Sequence, residues 1–389
     1  MNKSKILKPT VLSISLLTVL SGAAVSPALA QIQKAFPDAS DLAIQMILTL
    51  PPLLIIPFSL FSGWLALRFQ KRSLLFVGLT FYLAAGVGGG FANSIPILLV
   101  LRALLGIGTG LIAPLSQSLI ADFFTGDERA DMMGKSSAVA TLGGIVMPLL
   151  SGWLAVYNWR FAFGAYLISI FVFFMVWRFL PEPPMVEKQD KKVGKLPVGV
   201  YGLVFLTFML MVVFYLIPTK AALFMQENQI GNAGQVGLVI AVLNVAAFLV
   251  GMRFGWLRKL MGNFVPLFGL TTLSFGLLIL YFAENLLVVL VAMFIAGLGI
   301  GTLMPTIFLT TANLVPAEMN APALSGINGA LYLGQFASPL VFSLIGVIFS
   351  LEGVRFDFFS GAVMAGVAAV VFFGVGIIRF GKDSLSKEK

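Results

Sequence analysis

The chain has 389 residues, 59% of them hydrophobic and 11% charged, with a mean hydropathy of +1.00. A soluble domain carries about 25% charged residues, so a soluble globule is excluded. There is no Cys and no His, which removes disulfides, thiolate metal sites and the side chain that most readily changes charge near neutral pH, and leaves carboxylates to carry any proton chemistry.

Twelve apolar stretches are each long enough for a hydrocarbon core of about 30 Å, which takes about 20 helical residues. They fall near 9–33, 43–67, 73–93, 96–121, 134–157, 161–180, 197–219, 234–252, 264–283, 285–312, 322–350 and 357–379. Helices are the expected form, because backbone polar groups in lipid must be satisfied internally. The first stretch has a rival reading. Lys3, Lys5 and Lys8, an apolar run and Ala28-Leu29-Ala30 are laid out like a signal peptide. The run is about twice the usual length of such a leader's apolar region, and six spans are needed in the first half, so a retained span is expected.

The hairpin after span 2 runs from Gly63 to Arg72 and carries Arg68, Lys71 and Arg72, and the hairpin after span 8 runs from Gly251 to Lys259. Each is a short basic turn opened by Gly. All but five of the 25 Lys and Arg (Lys34, Arg102, Arg160, Lys220 and Arg355) fall in the termini or in loops on the N-terminal side. By the positive-inside rule this places both termini in the cytoplasm of a cell inner (cytoplasmic) membrane. The net charge of +9 is therefore topological, and no nucleic acid is expected as a partner.

Span 4 and span 5 recur 191 positions later. Gly106, Gly108, Gly110 and Pro114 match Gly297, Gly299, Gly301 and Pro305. Ala121, Asp127, Ala130, Gly143 and Pro148 match Ala312, Glu318, Ala321, Gly334 and Pro339 at the same offset. One register held across two apolar stretches and their connector marks two copies of a unit, and parallel repeats in a membrane are a transporter signature. The expected architecture is an all-α membrane protein with 12 transmembrane helices in two pseudo-symmetric six-helix bundles, residues 1–180 and 197–389. The charged, Pro-containing run 181–196 is a cytoplasmic linker, and 380–389 a short polar tail.

Arg102 is the one basic residue that no topology moves out of the first half of span 4. A charge there costs several kcal/mol by insertion scales, so it should face a cavity or a carbonyl partner rather than lipid. Snorkelling to the outer interface is the plainer alternative. Its counterpart in the second copy is Met293. Asp122 closes span 4 level with Arg68 and Arg72, which predicts an Asp–Arg latch at the cytoplasmic face. The glycine runs sit in apolar helices with no strand before them, which argues against phosphate binding. They let helices approach closely, as do Gly144, Pro148 and Gly152, where Pro also removes a helix hydrogen bond. Those three, with Gly63, Arg68 and Arg72, are candidate gating residues.

Gln45, Gln117, Tyr215, Asn244, Asn328, Tyr332 and Gln335 interrupt apolar spans and are candidate substrate contacts. Asn328, Tyr332 and Gln335 share one face of span 11 by their i, i+4, i+7 spacing. The alternative role for each is a helix–helix hydrogen bond, worth about 0.6 kcal/mol. None of the 16 acidic residues lies in the middle third of a span; Asp122 and Glu227 come nearest and are candidates, with Arg102, for proton coupling.

Residues 63–74 resemble the loop 2–3 motif of the major facilitator superfamily, with Leu67 where the family has Asp and Gln70 where it has Gly. Arg102 with Gly106 and Gly108 resembles that family's span 4 motif. Gly144-x-x-x-Pro148-x-x-x-Gly152 is similar to the span 5 motif of its twelve-span drug:proton antiporters, with Met147 at the usual Gly. Trp159-Arg160-Phe161 resembles the turn before span 6. The resemblance implies a secondary transporter, not an enzyme, that exports amphipathic small molecules in exchange for protons, works as a monomer in the bilayer and needs no cofactor or metal. It also implies a part for Arg102 in proton coupling. Members of that group commonly carry an acid in span 1, where this chain has Ser15, Thr18, Ser21 and Ser26. That departure leaves open an anionic or zwitterionic metabolite, or a siderophore-like compound, held with the help of Arg102 and Lys220. A non-transporting membrane sensor is the reading from another class.

Overall fold

The computed structural model of the chain describes residues 3–183, 196–316, 319–351 and 353–387. Most of the expected linker (184–195) and the repeat partner Glu318 lie outside the described residues. The helices are α1 (Lys3–Ala23), α2 (Leu29–Ala35), α3 (Asp41–Leu65), α4 (Lys71–Gly88), α5 (Ile95–Phe123), α6 (Gly126–Tyr157), α7 (Ile168–Phe179), α8 (Val198–Glu227), α9 (Ala233–Met252), α10 (Phe254–Met261), α11 (Val265–Phe282), α12 (Leu286–Leu314), α13 (Asn320–Phe349) and α14 (Val354–Lys387). No strand occurs among the described residues. Among the described residues, eleven helical stretches are long and apolar enough to cross a membrane, and a shorter apolar one covers Ile6–Thr18. Large apolar side chains such as Phe91, Leu287 and Val370 stand on the surface, which suits a lipid-facing perimeter.

Several boundaries differ from expectation. The first span is not one helix over 9–33. It breaks after Ala23, winds as a 3-10 turn over Ser26–Ala28 and resumes as α2. Pro27 has no N–H to continue the helical ladder, and the Ser26 hydroxyl donates to the Pro218 carbonyl of α8. Span 6 opens as a 3-10 stretch, Trp159–Leu167, before α7. The polar connector after span 4 is largely helical, since α6 starts at Gly126, eight residues before the expected 134. Gly126 takes a left-handed φ of +55°, and Asp127 and Glu128 sit in the first turn, where negative charge suits the helix dipole. The hairpin after span 8 holds the short helix α10, and the C-terminal tail continues α14 as far as Lys387.

The chain divides into two compact units. The first holds 1–192 with 218–241 and 335–340; the second holds 193–217, 242–334 and 341–389. In the first unit the glycines of α5 make two seams. A Cβ on Gly106 would stand 2.6 Å from the Pro51 carbonyl oxygen of α3, and one on Gly110 would stand 2.8 Å from Phe58 Cβ. A Cβ on Gly108 would stand 2.7 Å from the Tyr82 nitrogen of α4. In the second unit Gly297 and Gly301 of α12 close in the same way on Leu243 and Ala247 of α9, and Gly299 on Leu273 of α11. The reciprocal positions match too: Gly78 meets Ile112 and Gly108, and Gly269 meets Leu303 and Gly299. The 191-residue register read from the sequence thus holds in the packing of each unit. Close approach, not ligand binding, accounts for these glycines.

Candidate functional site

Arg102 lies on α5 and is fully buried. Its Nη1 donates to Tyr166 Oη at 3.0 Å, and its Nη2 reaches the carbonyls of Ala85 and Gly86 at 3.5 Å each. The guanidinium carbon sits 4.8 Å from the centre of the Phe163 ring and 5.2 Å from that of Tyr166. The snorkelling alternative is therefore overturned: the charge is turned inward, onto the C-terminal end of α4. That end carries the negative pole of the helix dipole, and the Ala85 carbonyl accepts the guanidinium as well as the Gly89 N–H of the helix cap, which is why a cation is stable there. Tyr166 passes the contact on, donating its hydroxyl to the Ser21 carbonyl of α1 at 3.0 Å. Four elements thereby meet at one guanidinium.

Space for it comes from glycine. A Cβ on Gly86 would stand 2.8 Å from the Tyr166 ring, and one on Gly89 would stand 2.8 Å from Arg102 Nη2 and overlap Phe163. No carboxylate pairs with Arg102 among the described residues. Its Nε and the hydroxyl of the neighbouring Tyr82 are buried without a hydrogen-bond partner. Tyr82 packs edge-on against Tyr166 with ring centres 5.8 Å apart. The site is a buried, uncompensated cation in a cage of aromatic faces and carbonyls.

At the other end of α5, Asp122 pairs with Lys71, not with Arg68 or Arg72. Lys71 Nζ stands 2.5 Å from Asp122 Oδ2 and 2.7 Å from Ser118 Oγ. Lys71 opens α4 beside the end of α5, whereas Arg72 donates to the Trp177 carbonyl at 2.7 Å and Arg68 stacks on Trp64 at 4.1 Å. The two arginines are spent on α7 and α3, which leaves the lysine for the acid. Lys71 lay in the motif read from the sequence, but its i, i+1 neighbour was chosen instead.

Arg160 was read only as part of a short motif. Its Nη1 donates to the Gly90 and Ala92 carbonyls at 2.9 and 2.8 Å. Arg355 donates to the Tyr281 and Ala283 carbonyls at 2.5 and 3.0 Å. Those carbonyls sit at the ends of α4 and α11 in the repeat register, so each copy has an arginine clamp on the same helix end. Three hydroxyls form a further buried cluster that sequence reading missed: Ser136 of α6 donates to Ser15 of α1 at 2.7 Å, and Ser15 lies 2.9 Å from Ser116 of α5.

The expected substrate contacts are distributed between the units. Gln45 and Gln117 belong to the first, as does Gln335 by its contacts; Tyr215, Asn244, Asn328 and Tyr332 belong to the second. Gln45 is buried and donates to the Asp41 carbonyl of its own helix at 3.2 Å, leaving its Oε1 without a partner. Tyr215 is buried, Asn244, Tyr332 and Gln335 are half-buried, and Gln117 and Asn328 are exposed. Asn328, Tyr332 and Gln335 all lie on α13, as their spacing required. Glu227 is exposed at the last position of α8. Among the gating candidates, Gly144, Pro148 and Gly152 are buried on α6. A Cβ on Gly152 would stand 2.7 Å from the Ala233 carbonyl oxygen and 3.0 Å from Gly237 Cα, so α6 and the start of α9 touch backbone to backbone. Gly63 has nothing within 4 Å of such a Cβ, and neither has Gly251; packing does not require these two glycines.

The profile of the Major Facilitator Superfamily matches residues 11–339. The chain is 24% identical over 359 residues to the "Bacillibactin exporter" of Bacillus subtilis (strain 168), covering 86% of this chain and 88% of that protein. A shorter match, 29% over 138 residues, joins 34% of this chain to 27% of the "Multidrug export protein EmrB" of Haemophilus influenzae. Among solved structures, a bacterial homolog of the human lysosomal transporter Spinster superposes with a TM-score of 0.79 at 17% identity, covering 96% of this chain and 97% of that one.

Proposed function

The chain belongs to the Major Facilitator Superfamily and is a membrane transporter, not an enzyme, and from that premise we propose that it exports amphipathic small molecules by alternating access, driven by inward proton movement. The export direction is supported by the full-length likeness to the bacillibactin exporter, by the shorter match to a multidrug export protein, and by Pro148 and Gly152 at the close approach of α6 and α9. The observation that carries the coupling reading is the enclosed charge of Arg102, held by carbonyls and a phenol without a carboxylate. Such a charge is expensive in the membrane and is retained where a function needs it. Protons are taken at Asp122: its protonation removes half of the ion pair with Lys71 and frees the start of α4 from the end of α5. The small-molecule substrate, protons and the bilayer are the partners; the unit is a monomer in the inner membrane with both termini cytoplasmic, in line with the placement of Lys and Arg.

The second reading, an anionic or zwitterionic metabolite or a siderophore-like compound as cargo, is favoured by the lack of a mid-span carboxylate to hold a cationic drug. The two are separated in proteoliposomes with an imposed pH gradient and a matched pair of cationic and carboxylated dyes. Proton-driven export predicts that collapse of the gradient abolishes net accumulation. Identical flux with and without the gradient rules proton antiport out, and the preferred dye chooses the cargo.

A further inference from the structure

A cavity of about 320 Å³ opens within the first compact unit, walled by α2, the last turns of α8 and the first turns of α9. Its size is at the lower end of ligand pockets, about 300–1,000 Å³. The floor is apolar and buried, made by Pro27, Ala30, Ala222, Ala233 and Val236. The rim is polar: Gln31, Lys34, Gln226, Gln229 and Asn232. Lys34 is the single charged side chain among the lining residues, and no carboxylate lines the cavity. The acids nearest in sequence to the lining are Asp38 and Glu227, both exposed and outside it, and Asp41 at the start of α3 accepts from Gln33 at 2.7 Å. The walls are held in place. The Ser26 hydroxyl ties the break between α1 and α2 to the Pro218 carbonyl. Asn232 and Gln235 bond reciprocally, backbone N–H to side-chain oxygen, at 2.9 and 3.1 Å, a capping box that fixes the entry to α9. Gln229 holds a left-handed φ of 53° as the cap that ends α8, with the Ile230 N–H returning to the Met225 carbonyl at 2.8 Å.

We infer that this cavity binds an amphipathic small molecule with a single carboxylate or comparable anionic head. The head is taken by the Lys34 ammonium and the amide N–H groups of the rim, and the apolar body lies on the alanine and valine floor. One ammonium with no carboxylate among the lining residues selects against cations by repulsion and leaves neutral analogues without a charge partner. This names a substrate class for the transport reading above, and the place of the site in a transport cycle depends on that reading; binding itself does not.

The test is fluorescence titration of the purified full-length chain in nanodiscs with N-dansylglycine, a monocarboxylate that brightens in apolar surroundings, and with dansylamide, its uncharged counterpart. Wild type should bind N-dansylglycine saturably and at least about tenfold more tightly than dansylamide. Lys34→Glu should raise the Kd for N-dansylglycine by about tenfold or more and leave dansylamide unchanged, while Lys34→Arg should retain binding. Lys34 is exposed, so these variants are expected to keep the melting temperature of the wild type. Absence of saturable binding to wild type, or equal affinity for N-dansylglycine in wild type and Lys34→Glu, overturns the inference. Intact binding with no gradient-driven flux of any dye sinks the transport reading and leaves the site standing.

Discussion

Arg102 sets the chemistry at the scale of a residue. Its planar fork reaches a phenol and two carbonyls while lying against two ring faces, and an ammonium cannot reproduce that geometry. Arg102→Ala and Arg102→Lys are both expected to abolish transport in the proteoliposome assay while leaving expression intact. Near-normal flux in either variant would remove Arg102 from the mechanism. That the arginine mattered was legible in the sequence, because a charge within an apolar run has to be accounted for. Its partners were not legible. Two are backbone carbonyls, which carry no side-chain signature, and Tyr166 lies 64 positions away on a 3-10 stretch that reads as ordinary apolar span. That Lys71, rather than the expected Arg68 or Arg72, meets Asp122 was not legible for a related reason: neighbouring basic residues on a helix point about 100° apart, and only the fold says which one faces the acid.

Helix seams follow from small residues, and these were the best-read part of the chain. The glycines of α5 and α12 close on the same neighbours in each unit, as the repeat required. Helix ends were read less well. The break at Ser26–Ala28 and the 3-10 start at Trp159 lie in segments whose apolar composition suits a continuous span, so hydropathy passes over them. Gly299→Val would place side-chain atoms against Gly269 and Leu273 of α11, where even a bare Cβ stands 2.8 Å from backbone atoms. Overpacking of this kind costs about 1–3 kcal/mol, so the melting temperature of the purified protein should fall. The clamps give the complementary test. Arg160→Gln and Arg355→Gln each forfeit charged hydrogen bonds to carbonyls, worth about 1.5–3 kcal/mol apiece. Both variants should melt lower than wild type and by comparable amounts, and an unchanged melt in either would show that its clamp is idle.

For the whole molecule, the proposed coupling draws on the Lys71–Asp122 ion pair as well as on Arg102. Lys71 and Asp122 are largely shielded, with side-chain exposures of 17% and 10%, unlike the exposed pairs Lys8–Glu128 and Lys135–Asp131, which contribute about 0–1 kcal/mol. Asp122→Asn imitates the protonated acid permanently. It should shift spin-label distances across the end of the molecule that carries Lys71 and Asp122 toward the inward-open population in double electron–electron resonance and remove the pH dependence of that shift. A distribution identical to wild type would retire Asp122 as the proton switch. Membrane residence, helical class and transport were all legible from hydropathy and the repeat, because each is a property of many residues at once. Cargo is set by a few side chains meeting in space, and linear order does not reveal that meeting.

The matched seams of α4 with α5 and α11 with α12 have a bearing on how such a chain can be rebuilt. Each joint sets glycine against backbone on one side and against one large aliphatic side chain on the other, Ile112 in the first and Leu303 in the second, so the two are built to one plan with different fillings. Carrying one joint over to the other's position therefore means moving its glycines together with the aliphatic residue that fills them. A designer who keeps each glycine with its aliphatic filling could vary the outer faces of these helices and leave the seams intact.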